Sequence, residues 1–199
     1  MLLTVIRIGL ISDTHIPSAG KQLPDLVAEL LWGVDLIIHA GDITVSSVLD
    51  WLEGIAPVVA AQGNEDTGLS DRRIAPSLII QTQWAGIGVM HDLCYADLPV
   101  REALGRFFRS PVDVVVHGHT HEPMVERVGG VLVVNPGSAS FPNNRRDLPG
   151  SVGILTLTPQ GARAEIVPIL PPAELPPWPA GLPGLMAASP SPRALRPQL

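Results

Sequence analysis

Three apolar, β-rich runs, at residues 5–12, 34–39 and 57–61, are separated by two segments of helical periodicity, at 23–32 and 45–53. No other feature of the chain constrains its fold as much. Pro24 fits the first turn of the first helical segment, and Gly63 breaks the chain after the third run. Strand, helix, strand, helix, strand implies a largely parallel sheet with helices packed on it.

The pattern then changes. Residues 77–83 and 87–91 read as strands joined closely through 84–86, followed by a helix-like segment at 99–110 and a continuous apolar strand at 112–117. Residues 124–128 and 131–135 flank Gly129-Gly130, and 151–158 and 162–169 flank Pro159–Gly161, so both pairs carry a hairpin signal. The C-terminal half is therefore expected to add a second, hairpin-rich sheet, giving two sheets face to face with helices outside. Nine prolines fall within residues 171–199, with few charges and no periodicity. That stretch reads as an extended or disordered tail to a domain at 1–170.

Composition enters mainly by what it removes. No apolar run reaches the roughly 18–20 residues that span a membrane. The opening apolar stretch is interrupted by Arg7 and lacks a small-residue cleavage site, so it reads as a buried strand and the expected location is the cytoplasm. The single cysteine, Cys94, rules out a disulfide framework within the chain and reads as a small buried or half-buried thiol. Net charge is −6, with 13 basic against 19 acidic side chains, which weakly opposes a protein that grips nucleic acid through its phosphates. The basic residues are scattered: Arg72-Arg73, Arg145-Arg146, and Arg101, Arg106 and Arg109, which read as one solvated helix face.

The chemistry lies where the strands end. Asp13 and His15 follow the first run, Asp42 the second and Asn64 the third. His91 closes the strand at 87–91, and His119 and His121 follow the strand at 112–117. In open α/β sheets, ligands bind beyond the carboxyl ends of the strands. Each piece has an ordinary explanation alone: Gly41-Asp42 and Gly63-Asn64 are turn signals, and a lone histidine is usually a core residue. Histidines at three alternate positions, 117, 119 and 121, seldom serve packing. Carboxylate, imidazole and amide donors without thiolate suit borderline to hard divalent ions rather than a structural zinc site. Seven donors exceed the need of one tetrahedral ion and fit two ions sharing a carboxylate. Such a pair, about 3.5–4 Å apart, can activate water between them and hydrolyse a phosphoester.

The ordered set Asp13-x-His15, Gly41-Asp42, Gly63-Asn64, His91 and Gly118-His119-x-His121 resembles the calcineurin-like metallophosphoesterase superfamily. Asn135-Pro136-Gly137-Ser138 and the stretch 36–42 resemble its small prokaryotic phosphodiesterase branch. The resemblance covers roughly residues 5–170 and implies an α/β four-layer α-β-β-α sandwich. It also implies that Asp13, His15 and His121 hold one metal and Asn64, His91 and His119 the other, with Asp42 bridging. Asp42, Asn64, His119 and Glu65 are the expected catalytic residues. The cofactors would be two divalent ions, Mn²⁺ first, with Fe, Zn, Ni and Co as alternatives. A small phosphodiester is the expected substrate, whether cyclic nucleotide, nucleic-acid end or another diester. Hairpin edges permit a homodimer.

The chain departs from the family pattern twice. Glu65 stands where many members carry a histidine that protonates the leaving group, leaving Glu65, Asp66 and His117 as candidate acids. Asp92 stands where glycine is usual, as a carboxylate able to orient His91 or as a loop residue. His39 and His117 match no ligand position, and Asn135–Ser138 reads either as part of the active-site rim or as a turn. The rival reading is a scaffold of the same fold, since the small branch also resembles a retromer subunit that serves as a protein scaffold. A histidine-triad hydrolase fits poorly, because Gly118, Thr120 and Glu122 replace the bulky apolar residues it needs.

Overall fold

Every run read as a strand forms one. The computed structural model describes residues 5–93, 99–142 and 149–170. The strands are β1 (Ile6–Ile11), β2 (Leu36–His39), β3 (Val58–Ala61), β4 (Ile74–Ala75), β5 (Leu78–Gln81), β6 (Gly86–Val89), β7 (Val114–Val116), β8 (Met124–Val128), β9 (Val131–Asn135), β10 (Ser151–Thr158) and β11 (Gly161–Pro168). The helices are α1 (Leu26–Leu30), α2 (Ser46–Glu53) and α3 (Val100–Leu104). One sheet runs β11-β10-β1-β2-β3-β4 and the other β5-β6-β7-β9-β8. β1, β2 and β3 are parallel, as are β6, β7 and β9.

The layering follows from strand alternation. Ile8 and Leu10 of β1 and Leu132 and Val134 of β9 enter one cluster, with Val114 and Val116 of β7 and Leu155 and Leu157 of β10, so this core fills the space between the sheets. Ile11 faces the other way, into a cluster with Val27 and Leu31 around α1 and Val48, Leu49 and Leu52 of α2. Gly9 lies on that side because a Cβ there would come within 2.8 Å of the Leu31 side chain. Val131 and Val133 likewise face Val100, Leu104 and Phe108 around α3. Helices, sheet, sheet and helix make the expected α-β-β-α sandwich.

Two expectations are corrected. The β10–β11 hairpin joins the first sheet, not the second: β10 pairs antiparallel with β1, Ile8 opposite Leu155, closing the edge that β2 leaves open. Helix α3 ends at Leu104, so Arg106 and Arg109 sit on the following loop and share no helix face with Arg101. The short β4 carried no sequence signal. Residues 171–199, Cys94, Arg145 and Arg146 lie outside the described residues. No helix among the described residues is long and apolar enough to cross a membrane.

Candidate metal centre

Parallel strands place their carboxyl ends on one edge, and here both sheets present that edge together. β1 leads into Asp13 and His15, β2 into Asp42, and β3 into a 3₁₀ turn, Asn64–Asp66. The second sheet adds His91 after β6, and His119 and His121 after β7. Backbone bonds lock these loops together. Asp13 N–H donates to the Gly41 carbonyl at 2.9 Å, His15 N–H to that of Asp42 at 3.1 Å, and Gly118 N–H to that of His91 at 2.9 Å.

All seven residues expected to bind metal meet there. Donor atoms of Asp13, His15, Asp42 and His121 all lie within 4.8 Å of one another. His15 Nε2 stands 3.2 Å from His121 Nε2 and 3.4 Å from Asp42 Oδ2, and His121 Nε2 is 3.3 Å from Asp13 Oδ1. A second group adjoins it: Asn64 Oδ1 is 3.1 Å from both His91 Nε2 and His119 Nδ1, and His91 Nε2 is 3.3 Å from Asp42 Oδ2. Donors bound to one ion at about 2.0–2.1 Å stand roughly 3.0–3.4 Å apart, depending on the polyhedron. The neighbouring donor pairs, at 3.1–3.4 Å, fall in that range, so the oxygen and imidazole donors fit divalent metal.

Asp42 belongs to both groups through one atom. Its Oδ1 accepts the Glu65 N–H at 2.9 Å, leaving Oδ2 to face His15 on one side and His91 on the other.

The backbone is strained where the donors sit. Asp13, His15, Asp42, His119 and His121 all have positive φ, between 44° and 71°. Such conformations persist in non-glycine residues only where the surroundings impose them, and they concentrate at functional sites. The motif glycines have a different reason. A Cβ on Gly63 would strike the backbone and carboxylate of Asp42, and one on Gly118 would strike Ser12 Oγ and the Asp13 carboxylate.

Outer contacts aim the donors. His91 Nδ1–H donates to the Ala40 carbonyl at 2.8 Å and His121 Nδ1–H to that of Phe141 at 2.6 Å, which frees each Nε2 lone pair for the centre. His119 presents Nδ1 instead. Asn135 and Ser138 are buried under the loops rather than lining an open rim. Asn135 Nδ2 donates to the Gly118 carbonyl at 2.9 Å and to Thr120 Oγ1, while its Oδ1 accepts the Gly137 N–H, so it serves the turn and steadies the histidine loop together. Ser138 Oγ donates to the Asp13 carbonyl at 2.7 Å.

Asp66 is the residue that pattern reading valued least well. It is fully buried, and its carboxylate accepts four backbone N–H groups: Ile43 at 2.7 Å, Thr44 at 2.8 Å, Gly63 at 2.7 Å and Asp42 at 3.0 Å. With every acceptor position engaged, it ties the Asp42 loop to the Asn64 loop and has no free edge toward a leaving group. His117 is also buried, with Nδ1 beside the Gly118 carbonyl. Glu65 is exposed and accepts Asn64 Nδ2–H at 3.0 Å, which fixes Asn64 Oδ1 toward the histidines. Asp92 is exposed and lines the adjoining cleft. His39, which matched no ligand position, stays outside both donor groups: its Nδ1 accepts the Gly41 N–H and its Nε2 meets Thr14 Oγ1.

The histidines divide electrostatically. Burial pushes His39 down to about 4 and lowers His117. The Asp13 carboxylate raises His121. Burial also opposes charge on His91, but hydrogen bonding to Asp42 and the charge of Asp13 outweigh it, so its pKa is raised. In metal-free protein, His39 and His117 take protons more readily when unfolded, so stability should fall as pH drops from about 6.5 toward 4. His91 and His121 take them more readily when folded. Their contribution is complete below about 6.5 and is lost as pH rises through their raised values. Thermal melts in chelator should therefore peak near pH 6.5, and saturating Mn²⁺, which needs neutral imidazoles, should abolish the upper decline. Melts with the same pH profile in chelator and in Mn²⁺ would contradict this arrangement.

A family model for the calcineurin-like phosphoesterase superfamily domain matches residues 6–160. A probable metallophosphoesterase of Methanothermobacter thermautotrophicus is 33% identical over 162 residues, covering 80% of this chain and 91% of the relative. A phosphodiesterase of Methanocaldococcus jannaschii is 29% identical over 146 residues, covering 66% of this chain and 83% of the relative. Among solved structures, vacuolar protein sorting 29 of Cryptosporidium parvum superposes with a TM-score of 0.67 at 22% identity, covering 82% of this chain and 97% of that one.

Proposed function

Because the chain belongs to the calcineurin-like phosphoesterase superfamily, a metal-dependent family, we propose that it is a phosphodiesterase working with two divalent ions. Asp13, His15 and His121 would hold one ion and Asn64, His91 and His119 the other, with Asp42 bridging. The observation that carries this reading is the single oxygen of Asp42, which stands 3.4 Å from His15 Nε2 in one donor group and 3.3 Å from His91 Nε2 in the other. Donors without thiolate favour Mn²⁺, and the same set accepts Fe, Zn, Ni or Co.

When bound, such a pair of ions supplies Lewis acidity and water activated at neutral pH. The chain's own residues set the stage for that chemistry. Asp66 holds the Asp42 and Asn64 loops in register through four backbone N–H groups. Glu65 accepts the Asn64 amide N–H and holds that amide in one orientation, a positioning role. No histidine follows Asn64 to protonate a departing alkoxide, so diesters with good leaving groups should react best.

The test is hydrolysis of bis-p-nitrophenyl phosphate by chelator-treated protein before and after Mn²⁺ addition. Turnover that appears only with metal is expected. Metal uptake without turnover on this or any other diester would favour the scaffold reading, which the fold shared with vacuolar protein sorting 29 also accommodates.

A further inference from the structure

Beside Asn64, His91 and His119 the surface opens into a cleft of about 420 Å³, within the range of small-molecule sites. Phe107, Pro76 and Met90 line it together with those donors. Two adjacent phenylalanines after α3 have opposite fates. Phe108 packs into the core at 6% exposure, while Phe107 stands 45% exposed in the cleft. Both backbone N–H groups donate to the Leu104 carbonyl, at 2.9 and 3.0 Å, so Phe107 is presented by a fixed turn. An exposed phenyl ring held beside polar donors is a ready stacking platform.

The polar lining narrows the occupant. Gln62 offers an amide and Asp92 a carboxylate, and among the described residues no Lys or Arg lines the cleft. Further phosphates beyond the scissile one would meet no cation there, and one carboxylate would repel them.

We propose that this cleft seats one ester substituent of the phosphodiester, and that the substituent is a planar aromatic group, aryl or nucleoside, stacked on Phe107. The inference rests on the phosphodiesterase reading only for placing the phosphate at the adjoining donors. It makes the natural substrate a small diester with a single phosphate rather than a polynucleotide strand.

Monoesters carry one substituent and can be tested without turnover, by calorimetric titration of Mn²⁺-loaded protein. Phenyl phosphate should bind about tenfold more tightly than methyl phosphate, as expected for one aromatic stack. Phe107→Ala should bring the two within about twofold while leaving methyl phosphate unchanged, and Phe107→Trp should keep the preference. Trp32→Ala, at a 77% exposed indole that does not line this cleft, should change nothing. A nucleoside 5′-monophosphate that binds more tightly than phenyl phosphate, with the increment lost in Gln62→Ala, identifies a nucleoside; one that binds no better identifies an aryl ester. Equal binding of phenyl and methyl phosphate, no binding of phenyl phosphate, or a preference that survives Phe107→Ala overturns the proposal. A phenyl preference without turnover of any diester would sink the phosphodiesterase reading and leave the cleft assignment standing.

Discussion

Replacing Asp42 by Asn is expected to lower kcat/KM on bis-p-nitrophenyl phosphate by about a thousandfold or more. The substitution keeps the shape of the side chain, and an amide oxygen can still accept the Glu65 N–H that Oδ1 accepts now. It would then set a neutral NH₂ where Oδ2 faces His15 and His91. Burial disfavours charge on Asp42, yet the hydrogen bonds from His91 and from the Glu65 N–H prevail and hold its carboxyl below the ordinary value. A shared anion is thus kept ionised between the two donor groups. Losing it should strip both ions together. Metal-assisted stabilisation amounts to several kcal/mol, and about 4 kcal/mol is a factor of about a thousand. Metal content by mass spectrometry should fall for both equivalents, whereas His121→Ala should mainly lose one. His117→Gln, which alters a histidine outside both donor groups, should cost less than about tenfold. Equal losses for Asp42→Asn and His117→Gln would remove the bridge from Asp42.

The second large effect is on the fold itself. Asp66→Ala should destabilise the protein by about 4 kcal/mol, because four backbone N–H groups around a buried carboxylate lose their acceptor at once. For a domain of this size that corresponds to a melting temperature roughly 10 °C lower. Asp66→Asn should be milder but still harmful, since one oxygen becomes an NH₂ group facing N–H donors. Both variants should also weaken metal binding by about 10- to 100-fold, because the loops carrying Asp42 and Asn64 lose their common anchor. Urea denaturation with metal titration would measure both effects. A destabilisation under about 1 kcal/mol would show that the loops are held by something else.

These residues illustrate what the sequence made legible. Apolar runs announced the strands, since a strand buried on both faces must be apolar throughout, and the donors could be read from their place at strand ends. His39 and Asp42 differ by three positions, yet only the second lies beyond its strand, and only the second enters the donor groups. Asp66 was misjudged because an acidic residue after Gly-Asn looks available for proton transfer. Nothing local in the sequence reveals that four amides from two loops converge on it. The hairpin signal at 159–161 correctly paired β10 with β11 but could not say which sheet edge would receive them, because that choice depends on contacts some 145 residues away in sequence. Phe107 and Phe108 are indistinguishable by type, and only the stop of α3 at Leu104 decides which one turns outward.

The pairing of β1 with β10 has a consequence for how the chain is made. During synthesis, β1 to β3 can assemble early, but the free side of β1 waits for residues 151–158. Until then a strand with an apolar sequence, Ile-Arg-Ile-Gly-Leu-Ile, keeps one row of backbone donors and acceptors unpaired in the middle of the future sheet. Such long-range closure is slow, and the half-built chain is the species most exposed to association with its own copies. Substitutions that weaken β10 should therefore lower soluble yield during expression before they visibly change metal binding, whose candidate donors all lie within residues 13–121.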